Sequence, residues 1–154
     1  MKKNIEMIVV CIAVGFLMGQ FMFNQYHKEE KTSIVPVVQT EEKLYFLQQG
    51  VYSNLDSMKQ NLTDFEYYTY TEKDGKYYVY VAIIKSEENL EKLKGYFKQK
   101  GYDIYVKEFS VTSAAFIEVL NQYEQLLKGT SDEKTIQAAC TQILAKYEEL
   151  VIND

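Results

Sequence analysis

Tryptophan is missing, proline and histidine occur once each, and there are only two cysteines. Each scarcity closes a class of function. His27 is the sole imidazole, so a histidine-based metal site or a histidine-activated nucleophile has nothing to be built from. Cys11 lies within an apolar run and Cys140 near the other end, which argues against an intrachain disulfide and leaves the redox compartment unfixed. Cys140 sits on an apolar helical stripe and reads as a small buried hydrophobe. No phosphate loop and no dinucleotide-binding glycine fingerprint occurs. Lys and Glu are interspersed, the formal charge is −5, and no basic block is present to neutralise phosphates, so nucleic acid is not an expected partner. Acidic residues fall at helix starts and on polar faces, where solvated charge explains them better than acid/base chemistry. The expectation is a protein that is not an enzyme and has no catalytic residue, metal or cofactor.

What is abundant is aromatic: 14 Tyr and 8 Phe in 154 residues. These rings give a small domain large apolar area while each phenol keeps a polar tip. The longest apolar run, Met7 to Phe23, is interrupted only by Gln20 and glycines. It is at the short end of what crosses a bilayer as a helix. Lys2 and Lys3 precede it, and the segment after it has no cationic excess, so the N-terminus is expected in the cytoplasm and the remainder outside. The run ends in Phe-Met-Phe-Asn-Gln-Tyr rather than small residues, which favours an uncleaved anchor over a signal peptide. Residues 1–26 are therefore read as cytoplasmic N-terminus and transmembrane anchor, and 27–42, which hold the only proline, as a tether.

Beyond the tether the elements alternate. Leu44 to Gly50 reads as a strand, followed by a helix with Leu55, Met58 and Leu62 on one face and Ser53 as its N-cap. Phe65 to Thr71 and Tyr77 to Ile84 read as strands joined through Asp74-Gly75. Ser86 caps a helix bearing Leu90, Leu93 and Phe97, which Gly101 ends, and Tyr102 to Phe109 reads as a fourth strand. The order βαββαβ predicts an α+β, ferredoxin-like domain over 43–110, with a four-stranded antiparallel sheet and both helices on one face. Residues 111–154 change period. Phe116 to Leu127 and Ile136 to Val151 form two helical stripes, the second started by Thr130 and Glu133. They predict a C-terminal helical hairpin that either packs on the domain or pairs with a partner.

Two segments carry a resemblance. Leu47-Gln48-Gln49-Gly50-Val51-Tyr52-Ser53 resembles the opening strand of the sporulation-related repeat (SPOR) domain, and Tyr77 to Ala82 with Lys85 to Leu90 resembles its third strand and second helix start. The likeness spans about residues 42–109. It implies a bitopic envelope protein that binds peptidoglycan glycan strands stripped of stem peptides, at the division septum or in sporulation. Val51, Tyr78 and Ala82-Ile83-Ile84 depart from the family's usual residues, and the helical hairpin has no counterpart in the minimal domain.

Strand alternation then selects a face. Val79, Val81 and Ile83 form an aliphatic set expected under the helices. Phe46, Gln48, Tyr78, Tyr80 and Tyr105 fall on the opposite, open face and are the candidate glycan-binding residues, because rings cover the apolar faces of sugars and an amide both donates and accepts. Equally open at this stage is a hairpin folded over that face, burying the rings. The rival function is an extracytoplasmic scaffold that engages division or cell-wall proteins through the C-terminal helices.

Overall fold

The computed structural model describes residues 41–153. The expected anchor and nearly all of the tether lie outside the described residues. Among the described residues no helix is long and apolar enough to cross a membrane.

The chain forms β1 (Glu42–Tyr52), α1 (Leu55–Asn61), β2 (Thr69–Lys73), β3 (Lys76–Ile84), α2 (Glu87–Gln99), β4 (Tyr105–Val111), α3 (Ala114–Gly129) and α4 (Glu133–Tyr147). A π-helical turn, Glu148–Ile152, continues α4. The strands make one antiparallel sheet in the order β2-β3-β1-β4, the strand order of the split βαβ plan.

Local chemistry explains most of the boundaries. Lys73 pairs with Lys76 across Asp74-Gly75, and both turn residues have positive φ (53° and 69°), the geometry of a two-residue type I′ hairpin. The Ser86 side chain accepts a hydrogen bond from the Asn89 backbone N–H and starts α2. Gly101, with φ 86°, ends it, and Gly101 N and Tyr102 N donate to the carbonyls of Lys98 and Phe97. Two caps differ from expectation. Asn54 rather than Ser53 caps α1, and Asp132 rather than Thr130 caps α4, because in each case the nearer side chain reaches the backbone N–H three residues on.

Of the two placements left open for the hairpin, the structure shows packing on the domain. Phe116, Leu120 and Leu127 of α3 and Ile136, Cys140, Ile143 and Leu144 of α4 join Leu44, Phe46, Leu47 and Ile83 of the sheet in one core. A buried carboxylate locks this arrangement. Glu124 of α3 accepts hydrogen bonds from the backbone N–H groups of Lys85 and Ser86, from Ser86 Oγ (2.5 Å) and from Asn89 Nδ2 (2.5 Å). Those donors cluster at the start of α2, where unpaired N–H groups favour an anion. In return, Lys92 of α2 donates to the carbonyls of Leu127 and Thr130 at the end of α3.

Candidate functional site

Directly opposed residues of an antiparallel pair share a sheet face. Gln48 faces Tyr80 on one side and Tyr105 on the other, Val51 faces Tyr78, Phe46 faces Lys107, and Leu44 faces Phe109. Phe46, Gln48, Tyr78, Tyr80 and Tyr105 therefore do come together on one face. Ring contacts confirm part of it, with Phe46 edge-on to Tyr80 at 5.5 Å and to Phe109 at 4.9 Å.

Two register shifts alter the alternation expected for β3. Leu47 pairs with Ala82 and Gln48 with Tyr80, so Val81 is an extra residue; Gln48 pairs with Tyr80 and Gly50 with Val79, so Gln49 is extra in β1. Ile83 consequently shares the face of Phe46 and Tyr80, while Val79 packs with Met58 and Leu62 of α1. The expected aliphatic set of Val79, Val81 and Ile83 is thus split by a bulge. The Gln49 side chain, which simple alternation places with the core, accepts a hydrogen bond from Tyr52 Oη at 2.7 Å.

The face is not uniformly open. Phe46, Tyr80 and Gln48 are buried at 2%, 4% and 6% exposure, a correction to the expectation that all five candidates meet solvent. Tyr147 at the end of α4 covers Phe46, its ring 5.3 Å from Phe46 and 5.4 Å from Phe116, and Phe109 lies edge-on to Phe46 and to Tyr80. Burial raises the pKa of Tyr147 and of Tyr80. Beyond this covered half the face is barer: Tyr105 is 61% exposed and Val51 43%, with Tyr78 half-buried and Lys107 and Thr71 exposed, while Phe109, 44% exposed, borders the covered rings. Lys107 stands between Tyr105 and Phe109 on β4, and no ion pair among the described residues engages it. Sequence reasoning missed Phe109 and Val51 as site residues; continuing the alternation from Tyr105 and Lys107 by one step finds Phe109.

A second concavity of about 300 Å³ lies among the Asp64–Tyr67 loop, α2 and α4. Several of its polar groups are bonded within the protein. Tyr102 Oη donates to Asp64, Gln137 Nε2 to Glu66 and Lys100 to Glu133. Cys140 lines it as a thiol that burial pushes up to about 12, which leaves it unreactive.

The described residues form a four-stranded split βαβ sheet with an aromatic, partly bare face. The SPOR domain family model matches residues 73–152, just over half of the chain, and the chain belongs to that family. The matched stretch runs from the β2–β3 turn through the helical hairpin. No curated protein and no solved structure matches the chain significantly. Membership carries peptidoglycan binding in the context of cell division as the general function, through a binding rather than a catalytic domain.

Proposed function

We propose that this chain is a non-catalytic, membrane-anchored cell-envelope protein that binds peptidoglycan glycan strands at the division septum or in sporulation. The carrying observation is the barer part of the sheet face, where Tyr105 and Val51 are exposed, Tyr78 is half-buried, and Lys107, which no ion pair among the described residues engages, shares the face of β4 with Tyr105. Aromatic rings stack on the apolar faces of pyranose sugars. Removing stem peptides unmasks a lactyl carboxylate on each muramic residue, and the Lys107 ammonium suits that charge. The anchor at residues 1–26, with the N-terminus in the cytoplasm and the domain outside, is supported by the apolar run and by Lys2 and Lys3 before it. Division or cell-wall proteins are the further partners that such a location offers.

The test is co-sedimentation of the protein with cell-wall sacculi before and after amidase treatment. Binding is expected to rise when stem peptides are removed and to fall about three- to tenfold in Tyr105→Ala or Tyr78→Ala. Retention indifferent to amidase, with both variants binding as the parent does, refutes the reading.

A further inference from the structure

The buried half of the same face contains an unmet hydrogen bond. Gln48 Oε1 has no partner, although the residue is 94% buried by its 6% exposure. Folded proteins seldom leave a buried amide oxygen unpaired, so such a group calls for a reason. The second concavity shows the contrast, since its carboxylates already accept hydrogen bonds from neighbouring side chains. Of the two buried side-chain oxygens without a partner among the described residues, Asn89 Oδ1 belongs to the α2–α3 contact, and Gln48 Oε1 lies on the covered half of the sheet face, across from Tyr80 and two residues along β1 from Phe46.

The covering segment continues into a turn that contributes no fully buried residue. Glu148–Ile152 is π-helical and has no buried residue, whereas Phe46, Tyr80 and Gln48 beneath this end of α4 are almost wholly buried. Single π-helical turns recur at functional sites, and segments with few buried contacts open at low free energy. The turn is held by a hydrogen bond from Tyr67 Oη to Glu148 Oε2 at 2.5 Å, by the Tyr147 ring on Phe46 and Phe116, and by partly buried Leu150 and Val151.

We propose that Tyr147 and the turn after it form a displaceable cap, and that the glycan-bound face extends beneath it to Phe46, Gln48 and Tyr80. This rests on the peptidoglycan reading of that face. In the free protein the Tyr147 ring occupies the place that a sugar ring takes on Phe46 once the cap swings away. The Gln48 oxygen then accepts from a sugar hydroxyl or acetamido N–H, the partner it lacks in the capped form. Because engagement of the whole face draws on the uncapped fraction, the cap lowers apparent affinity for it in proportion to its closure.

The experiment measures binding of glycan strands freed of stem peptides to the full chain, to Tyr67→Phe, and to a chain ending at Tyr147. The shortened chain is expected to bind about tenfold more tightly, with Tyr67→Phe between it and the parent. The side-chain amide resonances of Gln48 are expected to move when glycan is added. Equal affinities in all three, with Gln48 unmoved, overturn the cap and leave the bare half as the whole binding face. Absence of glycan binding in every form overturns the cap together with the function on which it rests.

Discussion

The two halves of the sheet face are made from the same kinds of residue and live in different environments. Toward Phe46 and Tyr80 the rings are sealed under Tyr147, with Phe116 of α3 packed behind it. Toward Tyr105 and Val51 the side chains are exposed, and Tyr78 is only half-buried. Strand alternation treats these halves alike because it reports which side of the pleat a residue occupies and not what packs on that side. The difference is made by residues a hundred positions downstream. The same rings are therefore structural in one half and available in the other, and the contrast should appear as opposite effects of mutation on stability and on binding.

The largest break in that contrast comes from Phe46→Ala, which empties a site shared by the rings of Tyr80, Phe109 and Tyr147. Loss of about 3–5 kcal/mol of unfolding free energy is expected, measured by denaturant titration. Next is Glu124→Ala, which strands the N–H groups of Lys85 and Ser86 and leaves the buried Asn89 amide with only the Glu124 backbone carbonyl as acceptor. A cost of about 2–4 kcal/mol is expected, with protection from hydrogen exchange falling first at the start of α2. If Glu124→Ala proves neutral, apolar packing and the Lys92 bonds to the end of α3 suffice to hold the hairpin in place.

Tyr67→Phe has a smaller effect and a distinctive pH signature. Its phenol is raised from 10.0 to about 12, first by donating its proton to Glu148, then by burial and by the charge of that carboxylate. Between those values the folded state keeps a proton that the unfolded chain releases, so stability falls as pH rises. The contribution is fully present below about pH 10 and is lost by about pH 12. The variant should lose about 1 kcal/mol at neutral pH and show a shallower alkaline decline in Tm. An unchanged alkaline slope would show that this hydrogen bond does not tie down the turn in solution.

Much of the fold is legible locally. Asp74-Gly75 specifies its hairpin because two adjacent residues must take positive φ, and Ser86 specifies the start of α2 because its side chain reaches Asn89 N. The caps at Asn54 and Asp132 were displaced by one and two positions, since neighbouring Ser, Asn, Thr and Asp residues all have capping chemistry and only the backbone path selects one. The site was half legible. Tyr105 and Tyr78 are on the bare surface, but Phe46, Gln48 and Tyr80 are beneath a segment whose docking depends on Glu124 and Phe116, contacts that no local pattern encodes. The bulges at Val81 and Gln49 were equally hidden, because a single inserted residue moves every later side chain to the other face without changing composition.

The finest separation of the two halves is Tyr105→Ala. Tyr105 is 61% exposed on the edge strand β4, so truncation removes little buried area and should shift unfolding free energy by less than about 0.5 kcal/mol. The ring lies across from Gln48 and is mostly exposed, and the strand ladder places it without the ring's own burial. A parent-like Tm together with weakened retention on amidase-treated sacculi would assign the ring to recognition. A loss of Tm comparable to that of Phe46→Ala would instead make Tyr105 part of the core, and the division of this face into a sealed half and an open half would fail.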